Sequence, residues 1–226
     1  MGNKDFSSPS IRPKVQFLCT EDKTLSEFSY IVRGKDFDVK LYKEVLEFSF
    51  GYSLFFELYT NLDWTELKPG LFSSWLTSPT CTCVYKYGNY KISPNIIPPV
   101  LHPYINRIAQ IIGVDPEYLN CVNANWYQNN TVGLGMHADN EGLFQGLNKP
   151  ITIASLSLGA SRDFVISVNS SGVEFKTLLE HGQLVTMNGL CQAKCLHGIP
   201  ESGTDSRGRI NLTFRNLCQH QASCKS

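Results

Sequence analysis

The second half of the chain is a succession of short β-rich runs: Cys121–Tyr127, Ile151–Leu158, Asp163–Val168, Gln183–Met187 and Arg209–Arg215. Turn residues (Gly, Asn, Asp) separate them. Strands this short and this evenly punctuated bury their apolar faces by forming a double-sheet jelly roll or sandwich. The first half contributes helices. Ser53 is placed to cap a helix running to Leu62, with Phe55, Leu58, Tyr59 and Leu62 as its apolar stripe. A second helix is expected over Pro103–Ile112, with proline near its start and Gly113 as its stop. Its core side would carry Ile105, Ile108, Ile111 and Ile112. Between the helices, Ser78–Pro99 is rich in Thr, Tyr and Pro and suits hairpins and loops. The expectation is an α+β jelly roll with the N-terminal helices packed on one sheet.

A length of 226 residues suits one domain. We expect a flexible lead over residues 1–13, a domain over 14–218 and a tail over 219–226. Twenty basic residues balance twenty acidic ones. That excludes a globally basic nucleic-acid binder but not a local basic groove. No apolar run is long enough for a membrane helix. The opening MGNKDFSSPS lacks the apolar core of a secretory signal, and Phe6 departs from the myristoylation pattern. A nuclear or cytoplasmic monomer is therefore expected. In that setting the eight cysteines are reduced thiols, and the sequons at Asn129, Asn169 and Asn211 carry no glycan. Two cysteine–histidine sets, Cys191 with Cys195 and His197, and Cys218 with His220 and Cys224, match no CxxC pair. Each also lacks a fourth ligand nearby, so neither reads as a zinc site.

His137-Ala-Asp139 has the period of a strand or extended turn, which points both side chains the same way. One imidazole and one carboxylate so placed can grip a divalent metal. A third ligand must come from elsewhere, with His197 the best candidate, although His102, His181 and His220 qualify by counting alone. Two histidines and a carboxylate on one octahedral face leave open positions, as oxygen-activating iron(II) requires. In Arg209-Ile-Asn-Leu-Thr-Phe-Arg215, polar and apolar residues alternate strictly. Arg209, Asn211, Thr213 and Arg215 share one face, and Ile210, Leu212 and Phe214 the other. Two inward arginines demand an anion, which a small dicarboxylate would supply. By period alone, an edge strand with its polar face in water is the simpler alternative. Asn125-Trp-Tyr127 repeats the alternation on an earlier strand.

Together, Asn125-x-Tyr127, His137-x-Asp139, His197 and Arg209-x-Asn211-x-Thr213-Phe214-Arg215 closely resemble the AlkB family of iron(II)- and 2-oxoglutarate-dependent dioxygenases. Residues 153–162, 180–187 and 98–113 extend the likeness over roughly residues 40–217. The resemblance implies a double-stranded β-helix (jelly roll) with a hairpin recognition lid, and it favours an inward strand at Arg209–Arg215. It also implies Fe(II), 2-oxoglutarate and O2 as cofactor and cosubstrates, with His137, Asp139 and His197 on the iron. Arg209 would pair with the distal carboxylate of 2-oxoglutarate, aided by Tyr127 and Asn211. Asn125 and Arg215 would hold the metal-chelating end.

The activity so implied is oxidative removal of N-alkyl groups, from 1-methyladenine and 3-methylcytosine, as aldehyde. The partner would be alkylated single-stranded or locally opened DNA or RNA, because the reacting atoms lie on the pairing edge. Alternatives are N6-methyladenine in RNA, a protein side chain, or a non-catalytic reader of methylated RNA. Glu141 stands where relatives carry an acid that touches the flipped base, though a surface acid fits equally. Tyr87 and Tyr90 match the lid in position, as stacking partners for the base or as plain hairpin packing. Lys86, Lys91 and Arg162 are candidate phosphate contacts, although three scattered cations form no convincing patch. Asn140 departs from the further acids that many relatives carry after His-x-Asp.

Overall fold

The computed structural model describes residues 27–203 and 207–224. The lead expected over residues 1–13 and Cys19 lie outside the described residues. Strands β1 (Phe28–Arg33) and β2 (Phe37–Tyr42) precede helix α1 (Phe48–Asn61). Then come β3 (Thr65–Lys68), β4 (Leu71–Thr77), β5 (Tyr85–Tyr87), β6 (Tyr90–Ile92), β7 (Pro94–Ile96) and helix α2 (His102–Ile112). The second half is nearly all strand: β8 (Cys121–Tyr127), β9 (Leu134–His137), β10 (Ile151–Gly159), β11 (Arg162–Val168), β12 (Glu174–Leu179) and β13 (Leu184–Gly189). A single turn of helix, α3 (Cys191–Lys194), leads into β14 (Cys195–Ile199) and β15 (Arg209–Arg215).

The major sheet runs β1-β2-β13-β10-β15-β8-β4-β3, with β7 added to β4. The minor sheet runs β12-β11-β14-β9, and β5-β6 form a separate hairpin. This is the expected jelly roll, with the helices on the outer face of the major sheet. There Leu54 and Leu58 of α1 and Ile105, Ile108 and Ile111 of α2 join Ile210, Leu212 and Phe214 of β15 in one apolar cluster. Burying each of those three β15 side chains contributes about 1.5–3 kcal/mol. A second core between the sheets includes Trp75, Tyr127, Ile153, Phe164, Ile166 and Met187.

Strand β15 is not an edge. It is flanked by β10 and β8, and all seven of its residues are buried. Its polar residues therefore point between the sheets, not into water. Helix α1 begins five residues before the expected cap. Its N-cap, Glu47, makes no side-chain cap bond, whereas Ser53 lies inside the helix and donates from Oγ to the Ser49 carbonyl at 3.0 Å. The buried stripe is Gly51, Leu54 and Leu58, leaving Tyr59 exposed. Helix α2 ends as expected, with Gly113 in the left-handed region at φ 73°. No helix among the described residues is long and apolar enough to cross a membrane.

Candidate active site

Two short strands of the minor sheet set the first pair of ligands. His137 ends β9, His197 sits within β14, and the two residues are directly paired across the ladder. Their ring centroids are 4.4 Å apart. Asp139 follows β9 by two residues and is 3% exposed. Its Oδ1 lies 3.6 Å from His137 Nε2 and 3.9 Å from His197 Nε2, so three donor atoms converge on one point. His137 Nδ1 meets the Gly135 carbonyl at 2.8 Å, a contact that fixes the proton on Nδ1 and leaves Nε2 as the free lone pair. The backbone N–H of Asp139 donates to Gln192 Oε1 at 2.8 Å.

The other histidines have other occupations. His102 is exposed at the start of α2. His181 Nδ1 accepts from the Gly159 N–H at 2.7 Å while its Nε2 faces the Phe48 carbonyl at 3.1 Å. His220 lies among cysteines.

The major sheet supplies the facing wall. Arg215 donates through Nε to Asp139 Oδ2 at 3.0 Å, and a second nitrogen binds the same oxygen. Burial alone would raise the Asp139 carboxyl, but the charge of Arg215, with His197 and His137, holds it down to about 2. The carboxylate is thus anionic, with Oδ2 engaged and Oδ1 directed to the imidazoles. Burial lowers the His197 imidazole to about 4 despite Asp139, so its Nε2 lone pair is available at neutral pH.

Deeper in, Arg209 is 1% exposed. Its Nε donates to Ser157 Oγ at 2.9 Å and an Nη to Asn211 Oδ1 at 2.7 Å. Asn211 in turn accepts from Ser155 Oγ and donates to Thr213 Oγ1 at 2.8 Å. The guanidinium carbon lies 5.2 Å from the Tyr127 ring centre. The remaining Nη1 of Arg209 and that of Arg215 have no hydrogen-bond partner among the described residues. Asn125 and Tyr127 line the same pocket, and burial pulls Arg209 down to about 10, the mark of a cation awaiting a counter-charge.

This architecture has known counterparts. The model of the 2OG-Fe(II) oxygenase superfamily matches residues 59–215. The chain belongs to that superfamily. Among curated relatives, alpha-ketoglutarate-dependent dioxygenase alkB homolog 3 of Homo sapiens is 32% identical over 146 residues, covering 59% of this chain and 48% of the relative. DNA oxidative demethylase ALKBH2 of Mus musculus is 30% identical over 141 residues, covering 59% and 56%. The chain thus spans about half the length of these relatives. The solved structure of OsALKBH1 shares the fold, with a TM-score of 0.62, 19% identity, and coverage of 84% of this chain and 100% of that one.

The residues present fit the superfamily's iron(II) and 2-oxoglutarate. His137, Asp139 and His197 form a donor set suited to iron(II). The orphaned Nη1 atoms of Arg209 and Arg215, buried in one pocket, suit a dianion with a carboxylate at each end.

The expected recognition residues separate in space. Tyr87, on β5, lines the pocket with its ring 6.3 Å from His137 and edge-on to it. Tyr90, its cross-strand neighbour, is 41% exposed and does not line the pocket. Lys86 and Lys91 are paired across the same hairpin, both exposed.

Arg162 is not a phosphate contact. It is 1% exposed, and its guanidinium donates to the carbonyls of Asn129, Val132 and Pro200 at 2.7–3.3 Å. Arg162→Met is expected to destabilise the fold by roughly 2–4 kcal/mol, because buried carbonyls lose their donor. Denaturant melts check this, and the KM for any nucleic acid should stay unchanged.

Tyr85 also lines the pocket, although nothing in the sequence sets it apart from Tyr87 and Tyr90. Its ring stacks on Trp75 with centroids 5.0 Å apart, and its hydroxyl donates to Glu141 Oε1 at 2.6 Å. Ser155 and Ser157 are legible in the sequence only through an alternation on β10 that matches that of β15, and Gln192 carries no local signal.

Proposed function

We propose that this chain is a 2-oxoglutarate-dependent dioxygenase that removes N-alkyl groups from bases in DNA or RNA, with 1-methyladenine and 3-methylcytosine as its preferred targets. The observation that carries this reading is the acid held by Tyr85, a residue that lines the pocket. Glu141 accepts from Tyr85 through Oε1, while its Oε2 is buried without a partner among the described residues. Burial, and then the charge of Asp139, raise its pKa, which marks it as a carboxyl that gains from meeting a cationic donor. A methylated adenine or cytosine is such a donor, with positive charge on the ring and an exocyclic amine. Tyr87, whose ring lies in the pocket 6.3 Å from that of His137, offers a surface against which a flipped base would stack.

Iron(II) with 2-oxoglutarate supplies the chemistry: one atom of O2 enters the N-alkyl carbon, and the other ends in succinate as carbon dioxide is lost. The rest of the work belongs to the chain. Arg215 keeps Asp139 anionic and directs its free oxygen to the imidazoles. Ser157 and Asn211 orient Arg209, which would hold the distal carboxylate. Leu134, Phe164, Met187 and Ile199 wall the pocket against water. The hydroxylated carbon then leaves the ring nitrogen as an aldehyde, the N–C bond breaking as the hydroxyl proton passes to nitrogen.

With no net charge to spread over the surface, affinity should rest on the flipped base and a small groove beside Lys86 and Lys91, and be salt-sensitive. A nuclear or cytoplasmic setting goes with this reading. The test offers single- and double-stranded DNA and RNA carrying 1-methyladenine, 3-methylcytosine or N6-methyladenine, with product read by mass spectrometry. Loss of the methyl group from the first two supports the reading. Action on N6-methyladenine alone, or 2-oxoglutarate turnover without base repair, moves it to another target. Glu141→Ala is expected to raise the KM for a methylated strand roughly tenfold or more, since it removes a charged hydrogen bond. Iron and 2-oxoglutarate binding should be retained.

A further inference from the structure

Away from the iron site, the fold gathers a second set of metal-ligating atoms. Cys81 and Cys83 lie between β4 and β5, at the root of the hairpin. His220 and Cys224 lie beyond β15, in the segment expected to be a mere tail. One donor atom from each falls within 4.8 Å of all the others. His220 Nδ1 is 3.8 Å from Cys81 Sγ, 3.7 Å from Cys83 Sγ and 3.3 Å from Cys224 Sγ. Cys224 Sγ is 3.9 Å from Cys81 Sγ.

These distances have a specific meaning. A tetrahedral zinc ion with ordinary Zn–S and Zn–N bonds sets its ligand atoms about 3.6–3.8 Å apart. Sulfurs 3.9 Å apart are far too distant to be bonded to each other. Two backbone amides already point at the sulfurs: Thr82 N–H donates to Cys224 Sγ at 3.3 Å, and Gln221 N–H donates to Cys83 Sγ at 3.2 Å. Amide donors of this kind stabilise metal-bound thiolates. Cys81 and Cys83 are buried, so these are shaped surroundings and not a chance surface encounter.

We infer that Cys81, Cys83, His220 and Cys224 form a structural zinc site of the Cys3His type, separate from the iron centre. Three thiolates and one imidazole select zinc, whereas the two imidazoles and carboxylate of the other site suit iron(II). The complete ligand set leaves no open position, so the role is to fasten. What it fastens is the recognition edge of the pocket. The Cys83 carbonyl accepts from Trp75 Nε1 at 2.9 Å, and Trp75 carries the stacked Tyr85. The Gln221 side chain pairs with both backbone groups of Val84, at 3.0 and 2.8 Å. The N–H groups of Cys218 and Gln219 donate to the Leu143 carbonyl, in the loop that follows Glu141. Zinc here would lock the C-terminal segment, the root of the hairpin and the Glu141 loop into one unit. The inference stands on these four residues and does not depend on the oxygenase reading.

The test is metal analysis and cobalt substitution of the full chain, without a histidine tag and kept under reductant. Wild-type protein should carry about one zinc per chain after treatment that strips the iron site. Reconstituted with cobalt(II), it should show the thiolate charge-transfer band and intense visible bands of a tetrahedral sulfur-rich site. His137→Ala should keep that signature. His220→Ala and Cys224→Ser, both outside the sheets, should lose it, with metal affinity falling more than about 100-fold. Hydrogen exchange over residues 84–92 should speed up in the same two variants. A wild-type spectrum without thiolate bands would overturn the inference, as would a Cys81–Cys224 disulfide mapped in reduced preparations.

Discussion

His197→Ala is expected to abolish 2-oxoglutarate turnover and to weaken iron(II) binding by more than about 100-fold, the upper range for losing only an outer-shell partner. The reason is geometric. His197 and His137 face each other across a single ladder position, and Asp139 reaches them with one oxygen because Arg215 holds the other. Removing one imidazole leaves two donors, too few to define a face of an octahedron. Cys191→Ala and Cys195→Ala provide the control. Both cysteines are buried near this strand, yet neither sulfur is among the converging donor atoms. Their substitution should leave turnover largely intact, apart from a small packing cost. Iron binding by calorimetry and succinate release by NMR give the two readouts. Metal lost from the cysteine variants and retained in His197→Ala would reassign the ligands.

The second large effect combines two opposite signs. Arg209→Met should raise the dissociation constant for 2-oxoglutarate roughly 100-fold or more, because charge-assisted hydrogen bonds to the distal carboxylate disappear. The same substitution should leave the melting temperature of the cosubstrate-free protein unchanged or higher. Arg209 is a buried cation with one Nη unpartnered, and such a group burdens the fold until an anion arrives. Methionine removes the burden, and Asn211 retains its bonds to Ser155 and Thr213. In the wild type, 2-oxoglutarate at about 100 times its dissociation constant adds about 2.7 kcal/mol of stability. In Arg209→Met that increment should fall to about 0.4 kcal/mol or less at the same concentration. Thermal melts with and without 2-oxoglutarate separate the two signs. A variant that melts much lower without cosubstrate, and still responds to it, would show that Arg209 serves the fold and not the ligand.

The parts of this molecule that the sequence makes legible are those where a period is undisturbed. The bounds of strands β8 and β15 are legible to the residue, because polar and apolar positions alternate along them. Period could not say whether the polar face of β15 meets water or the interior; only the strand order decides that. Strand β4 escaped notice because LFSSWLT is almost wholly buried and shows no alternation. Ser53 reads as a cap because serine caps helices, but here its hydroxyl bonds back within α1 and no side chain caps the true start. Arg162 looked like a surface cation, since sequence cannot show three backbone carbonyls turning inward to meet it. The Cys218–His220–Cys224 set lacks a fourth ligand nearby in the sequence. The fold supplies Cys81 and Cys83 instead, 139 and 137 positions before His220 in the chain, and directs Cys218 to the Leu143 carbonyl.

The most direct test of the central claim is the stoichiometry of products on one methylated strand. With iron(II), 2-oxoglutarate and O2, wild-type protein acting on single-stranded 1-methyladenine should release formaldehyde and restore adenine in step with succinate. The same protein with His197→Ala should release neither. Binding of the methylated strand by an iron-loaded, folded preparation that produces no succinate and no formaldehyde would contradict the account.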